Sequence, residues 1–362
     1  MSTRSRRGAG RIAAGLAVVV GVVLLAAPPA GAHNVSGVGA TNYLTTLEGV
    51  SPQTPGITAR VVEAGSRLEL TNTNDQEVVV LGYEDEPYLR IGPDGVFENQ
   101  RSPATYLNRD RTGSQTGPST VDPEAEPDWK KISSSHTARW HDHRIHWMGA
   151  NVDRPDHRFV VEDQWVVPLE YAGDRLEVTG QLVWVPGPSP LPWWGMVIAL
   201  IVLGAVVGLR PWWGKGLATL LAALIVTDLA HVIGIVGATA GGPNLVAAGP
   251  SLIYSIVGWG VGIVGVSLLW RAKRDGLFAA IFAGVLLAVF GGLSDLSVLD
   301  HSQVPFAWSA ASARVLVAAT LGLGLGVTLG SGLALWRLGA FSGIALSRPP
   351  APPATGDAAD HR

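Results

Sequence analysis

Hydrophobic and polar positions divide the chain into three zones with different patterns. Residues 12–27 form one short apolar run. Between 33 and 185, apolar and polar residues alternate in short segments separated by turn sequences such as Gly92-Pro93-Asp94-Gly95. Alternation over four to eight residues predicts half-buried β-strands. We therefore predict an all-β sandwich over 33–185, with strands at 57–62, 67–72, 77–83, 88–91, 163–169 and 175–184.

The third zone is apolar without a period of two. Each of its runs approaches the ~20 residues that an α-helix needs to cross a bilayer. We predict that 186–338 form an all-α bundle of five transmembrane helices, and that the Pro- and Ala-rich residues 339–362 form a disordered cytoplasmic tail. The apolar runs lie at 193–209, 216–236, 252–270, 277–293 and 315–336.

Basic residues follow the first, third and fifth of these runs, whereas the other short loops lack Lys and Arg. The positive-inside rule then places the C-terminus in the cytoplasm and the β-domain outside the plasma membrane. Arg314, at the outer start of the last run, is the exception. These basic residues are Arg210, Lys215, Arg271, Lys273, Arg274, Arg337 and Arg348.

The N-terminus carries the features of a secretory signal peptide. Four arginines precede the apolar run 12–27, and Ala30-Gly31-Ala32 fits a signal-peptidase site. Cleavage of 1–32 would leave His33 as the first residue, whose α-amine and imidazole can bind one metal ion together. The alternative is an uncleaved anchor helix. The predicted export agrees with the orientation from the basic loops.

Composition and sequence motifs exclude several kinds of site and partner. The chain has no cysteine, which excludes disulfides, zinc–thiolate sites, iron–sulfur clusters and blue-copper sites. The net charge of -3 and the absence of a basic tract argue against a nucleic-acid partner. No Walker-type Gly-x-x-x-x-Gly-Lys-Ser/Thr sequence is present, which argues against a bound nucleotide. The expected partners are a metal ion and the lipid bilayer.

The candidate metal site is Trp140-His141-Asp142-His143-Arg144-Ile145-His146-Trp147-Met148, which holds three of the nine histidines. On a β-strand His141 and His143 would share a face, and His146 would lie on the opposite face if the strand continued. We expect His33, His141 and His143 to be the primary ligands, with His146, Asp142 and Met148 nearby. Imidazole and amine ligands favour copper, with zinc as the alternative. The competing interpretation is a polar strand whose histidines only form hydrogen bonds.

A mature chain that starts at His33 and carries Trp140-His141-Asp142-His143 about a hundred residues later resembles the cupredoxin-like subunit of the copper membrane monooxygenases. This resemblance implies copper bound by the N-terminal His and the His-x-His motif, in a cupredoxin-like or immunoglobulin-like sandwich. It covers only that motif and its spacing, because the five-helix C-terminal half differs. The layout of a β-sandwich followed by a helical bundle is also similar to copper-resistance membrane proteins.

Ionisable residues interrupt two of the apolar runs. Asp228 and His231 are three residues apart and so share a helix face. Asp295, Asp300 and His301 lie at the outer end of the fourth run. Such residues within a membrane are costly and often functional, so we predict a second metal or proton site there. The alternatives are a buried structural pair for the first two and a solvated loop for the other three.

These features favour a metal-binding membrane protein that acts in copper acquisition, delivery or tolerance, with a periplasmic or extracellular copper carrier as a partner. The second class is a copper-dependent oxidase or monooxygenase component. We favour this enzymatic role less than the copper-handling role. The third class is a structural or receptor-like protein without a metal.

Overall fold

The structure, a computed structural model, describes residues 39–109, 113–149, 155–238 and 245–340, with the backbone alone for 245–251. It confirms the predicted fold class. Two β-sheets form an N-terminal domain, and five helices that are long and apolar enough to cross a membrane follow within the described residues. The predicted signal peptide, His33 and the end of the tail from 341 onward lie outside the described residues.

In its described residues, the β-domain contains ten antiparallel strands in two sheets. The larger sheet has the order β1-β10-β9-β4-β5-β6-β7, and the smaller has the order β2-β3-β8. All six predicted strand segments are present, and the sequence patterns missed β1, β6 and β7. The strands are β1 Tyr43–Ser51, β2 Ile57–Val62, β3 Arg67–Asn72, β4 Val78–Leu81, β5 Pro87–Gly92, β6 Gly95–Asn99, β7 Trp129–Ser133, β8 Thr137–His141, β9 Phe159–Tyr171 and β10 Asp174–Trp184.

The core of this domain lies between the two sheets. Leu68 and Leu70 on β3 are fully buried against apolar residues of the larger sheet, among them Trp165, Val167 and Leu169 on β9. Their spacing of two residues places them on one strand face, as the alternation predicted. Burial of such side chains is the main stabilising contribution to a sandwich. The packed sheets supply a rigid support for the histidines that follow β8.

Five long helices follow the β-domain in the part of the chain that the structure describes. The helix α1 begins only a few residues after β10, so the two halves are joined by a short segment that contains Pro186, Pro188 and Pro190. The fourth span is the least regular, because α4 is followed by a π-helical turn and a 3₁₀ segment. The helices are α1 Leu191–Gly208, α2 Trp213–Val236, α3 Leu245–Trp270, α4 Asp275–Leu287 and α5 Ala310–Arg337.

The break in the fourth span brings polar residues into the bundle. The sequence predicted one helix over 277–293, whereas α4 gives way to a π-turn at Ala288–Gly292 and a 3₁₀ segment at Leu293–Leu299. Gly291 lies against Asp228, and a Cβ atom at that position would come within 2.0 Å of Asp228 Oδ1. A glycine therefore makes room for a carboxyl group from the neighbouring helix α2.

The first and last helices are in direct backbone contact. A Cβ atom on Gly330 would lie 2.2 Å from the carbonyl oxygen of Gly204, and one on Gly208 would lie 2.0 Å from that of Gly330. Small residues permit this approach, and the spacing Gly326-x-x-x-Gly330 places two glycines on one face of α5. The helix that leaves the β-domain is thereby fixed to α5.

Residues 300–303, after the 3₁₀ segment, contact the β-domain. Thr41 and Gln303 pair through reciprocal backbone hydrogen bonds of 2.9 and 2.8 Å. The Ser302 amide donates to Asn42 Oδ1 at 2.8 Å, and its hydroxyl donates to the carbonyl oxygen of Val185 at 2.8 Å. We call residues 300–303 the junction loop. It attaches the bundle to the residues just before β1 and just after β10.

Candidate metal centre

The histidine cluster lies where β8 ends. This strand stops at His141, and a 3₁₀ turn, His143–Ile145, follows it. The expectation that His141 and His143 share a face of one strand is therefore wrong, because the strand does not reach His143. The turn nevertheless keeps both imidazoles on the same side, with ring centroids 4.9 Å apart.

Asp142 caps this turn from a fully buried position. Its carboxylate accepts hydrogen bonds from the Arg144 backbone at 3.1 Å, from the Arg144 guanidinium at 2.9 and 2.8 Å, and from the Trp140 indole at 2.8 Å. Burial alone would raise the pKa of Asp142, but the Arg144 charge and these hydrogen bonds hold it below its ordinary value. Asp142, expected near the metal, instead fixes the backbone that carries the histidines.

His141, His143 and His146 bring their ring nitrogens together. One nitrogen from each ring lies within 4.8 Å of the others, so the group could hold a metal ion. His146, expected on the opposite face of a continuing strand, lies beside His141, and their Nε2 atoms are 2.7 Å apart. The turn produces this arrangement, because it folds residue 146 back over the end of β8.

Backbone carbonyl oxygens set the orientation of the three rings. His141 Nδ1 lies 2.6 Å from the Ser66 carbonyl, His143 Nε2 lies 3.0 Å from that of Leu107, and His146 Nδ1 lies 3.4 Å from that of Trp147. A carbonyl oxygen only accepts, so the short contacts place a proton on His141 Nδ1 and on His143 Nε2. Such carbonyl contacts fix the tautomer of metal-binding histidines. Sequence reasoning missed them, since a carbonyl oxygen leaves no signal in the residue type.

The ring nitrogens that face one another are His141 Nε2, His146 Nε2 and His143 Nδ1. An Nε2–Nε2 distance of 2.7 Å requires a proton or a metal ion between the two nitrogens. Ligands bound to a common metal at about 2.0–2.1 Å also stand roughly 3 Å apart. Met148 adds a thioether, with Sδ 3.1 Å from His143 Nδ1. The centre therefore offers three nitrogens and one sulfur.

The centre is buried on one side and open on the other. His141 and His146 are each only 9% exposed, whereas Met148 is 48% exposed. On the closed side, the Tyr83 hydroxyl accepts a hydrogen bond from the His143 amide at 3.1 Å. Burial raises the pKa of Tyr83 above its ordinary value, so this residue stays a neutral phenol. Of these residues, Met148 is therefore the one most exposed to solvent.

His33 lies outside the described residues, so its part in the site stays a prediction. The chain between His33 and Tyr43 is ten residues long, which spans at most roughly 33–36 Å when extended. The Tyr43 ring stacks on Trp147, with centroids 5.9 Å apart, next to His146. The start of β1 therefore lies beside the histidine cluster, within reach for an N-terminal residue.

The polar residues of the bundle fall into two separate groups. Asp228, His231 and Asp295 come together, with His231 Nε2 3.4 Å from Asp295 Oδ2. Asp300 and His301 instead pair with each other in the junction loop, with Oδ1 and Nδ1 2.7 Å apart. From the sequence we predicted one site that contained all five residues. That prediction did not include Trp259 on α3, whose indole donates to Asp228 at 2.8 Å.

Comparisons with known proteins gave no match, whether against family models, curated proteins or solved structures.

Proposed function

We propose that this protein binds a copper ion at His141, His143 and His146 on the outer side of the cell membrane, and serves copper acquisition, delivery or tolerance. The observation that carries the proposal is the convergence of three imidazole nitrogens oriented by backbone carbonyls. Carbonyl-oriented imidazoles are the usual arrangement around bound metal ions. His33 is proposed as a further ligand through its α-amine and ring.

The donor set supports copper over zinc. Copper(II) has the highest affinity for nitrogen ligands among the common divalent metals, and thioethers suit copper(I). Met148 Sδ lies beside a ligand nitrogen, so the site has donors for both oxidation states. Zinc would be satisfied by three nitrogens and a water, without the thioether.

The membrane setting supports a role in copper handling. The predicted signal peptide and the basic loops agree in placing the β-domain outside the cell. The exposed Met148 side of the site suits exchange of the ion with an external copper carrier. The chain has no Walker-type sequence, which argues against pumping driven by ATP hydrolysis in this chain.

The test is the metal content and copper affinity of the purified full-length protein. The variant His141→Ala/His143→Ala/His146→Ala is expected to lose copper affinity by roughly 100-fold or more, since even residues that only support a ligand contribute 10–100-fold. The matched control is His157→Ala, because His157 pairs only with the exposed Asp156 in the described residues. Copper affinity equal in wild type and the triple variant would overturn the proposal.

Three further measurements define the site. Zinc bound more tightly than copper would contradict the choice of metal. Residues added before His33 are expected to weaken copper binding, and unchanged affinity would remove His33 from the ligand set. Copper-dependent consumption of oxygen and a reductant would replace the copper-handling role with that of an oxidase.

A further inference from the structure

A second polar centre lies inside the bundle, distinct from the proposed copper site. Asp228 and His231 on α2 are 0% and 2% exposed, and they face the 3₁₀ segment that carries Asp295. Asp295 Oδ2 lies 3.4 Å from His231 Nε2. We call Asp228, His231 and Asp295 the membrane triad. It occupies the half of the bundle nearer the β-domain.

One oxygen of the triad is unsatisfied. Asp228 Oδ2 accepts a hydrogen bond from the Trp259 indole at 2.8 Å, but Asp228 Oδ1 is fully buried and has no hydrogen-bond partner among the described residues. This oxygen points at Gly291 in the π-turn, where the missing side chain leaves the space for it. A buried carboxylate oxygen without a donor is costly, and binding a proton removes its charge.

The triad also lacks internal charge balance. Two carboxylates face one imidazole, which carries at most one positive charge. One negative charge then remains within an apolar bundle, where each uncompensated ion costs several kcal/mol. A bound cation restores neutrality.

Among the described residues, the neighbouring charged groups do not supply this cation. Arg314 on α5 donates to the carbonyl oxygens of Val298 and His301, at 3.1 and 2.7 Å. Asp300 and His301 pair with each other. On the described part of α3, the side chains at the triad are the neutral Trp259 and Ser255. Phe306 stacks on His231, with ring centroids 6.1 Å apart, and covers the triad from the β-domain side.

The spacing favours a proton over a metal ion. Among the His, Asp and Glu side chains of the described residues, only those of His141, His143 and His146 form a group of three whose ligand atoms all lie within 4.8 Å of one another. The potential ligand atoms of the membrane triad are therefore farther apart than those of the histidine cluster. A proton needs only one carboxyl oxygen and a neighbouring acceptor.

We propose that Asp228, His231 and Asp295 form an intramembrane proton-binding site, in which one of the two carboxyl groups is protonated at neutral pH. The other carboxylate balances the imidazolium of His231. The site goes beyond the proposed copper function and does not depend on it.

Infrared spectroscopy of the full-length protein in detergent with chelator present tests this proposal. A protonated carboxylic acid has a carbonyl stretch distinct from that of a carboxylate. We expect this band at neutral pH in the wild type, with a shift in heavy water. Asp228→Asn and Asp295→Asn should each reduce or shift it, whereas Asp275→Asn, at the exposed start of α4, should leave it unchanged.

A band absent from the wild type, or unchanged in both triad variants, would overturn the proposal. If the variants do not fold, wild-type protein labelled with carbon-13 aspartate is used instead. A band that does not shift on labelling does not belong to an aspartic acid, and this result would also overturn the proposal.

A metal titration separates this site from the copper site. The protein with His141→Ala/His143→Ala/His146→Ala should keep the carboxylic acid band when copper or zinc is added. Loss of the band together with uptake of one metal ion per chain would show a metal site in place of a proton site.

Discussion

At the scale of single residues, the backbone that carries the three-histidine cluster is held by the side chain of Asp142. Asp142 is fully buried and neutralises the largely buried guanidinium of Arg144. Arg144 also donates to the carbonyl oxygens of Leu81 and Gly82 at 3.2 Å, which ties the turn to β4. The pair thus holds the backbone between His141 and His143 in place.

Replacement of Asp142 by Asn should strongly destabilise the β-domain. The buried Arg144 charge would lose its partner, and breaking a buried pair costs about 3–5 kcal/mol of unfolding free energy. Urea unfolding followed by tryptophan fluorescence would measure the change. Asp156→Asn is the control, because Asp156 is fully exposed. Similar unfolding free energies for the two variants would show that the pair is not stabilising.

At the scale of secondary structure, the sequence predicted that His141, His143 and His146 lie near one another but not how they meet, and His33 stays a prediction. The alternating pattern located most strands, because one face of each is buried against the other sheet. Within the cluster, periodicity could not show where β8 ends. The informative signal was Asp142, since Asp commonly accepts a backbone hydrogen bond two residues on and starts a turn. That turn explains why His146 joins His141.

A similar limit applies to the bundle. Hydropathy locates apolar runs of the right length, and all five were found. It does not register hydrogen-bond pattern, so the π-turn and the 3₁₀ segment after α4 were not predicted. The residues that marked the break were Gly291-Gly292, which are separated from Ser294-Asp295 by Leu293 alone. The break moves Asp295 towards His231 and away from a continuous helix face.

The contact between α1 and α5 gives a prediction for helix packing. Gly330→Ala would place a methyl group 2.2 Å from the Gly204 carbonyl oxygen, so the helices must separate. We expect a clear drop in the melting temperature, in line with about 1–3 kcal/mol for overpacking. Gly332→Ala is the matched control on the same helix, because nothing lies within 4 Å of its added methyl group. Equal melting temperatures would refute tight α1–α5 packing.

At the scale of the whole molecule, a chain of contacts connects the histidine cluster to the place where the two halves meet. Trp147, next to His146, stacks on Tyr43 at the start of β1. Thr45, also on β1, donates to the Ile145 carbonyl oxygen at 2.7 Å. The residues just before β1 then bind the junction loop. The edge of the β-domain that carries the histidines is therefore near the edge attached to the bundle.

Gly187 offers a test of this attachment. A Cβ atom there would come within 1.8 Å of the Asp300 carbonyl oxygen, so Gly187→Ala should displace the junction loop. We expect faster hydrogen exchange at the Ser302 and Gln303 amides, whose bonds to Asn42 and Thr41 would weaken. Mass spectrometry of peptides would detect it.

The control for this substitution is Gly195→Ala in α1, where nothing lies within 4 Å of the added methyl group. Unchanged exchange in Gly187→Ala would mean that the junction loop does not need the close approach of the linker.

The junction loop has a consequence for how a partner meets this protein. A domain joined to its anchor by one covalent strand can swivel, and its binding face then samples many directions. Here the non-covalent attachment at residues 300–303 is a second tether beside the linker, and two tethers remove most of that rotation. The Met148 side of the histidine cluster is thereby held in one orientation relative to the five helices. If these helices span a bilayer as predicted, a partner that exchanges an ion at the cluster would have to approach from one direction.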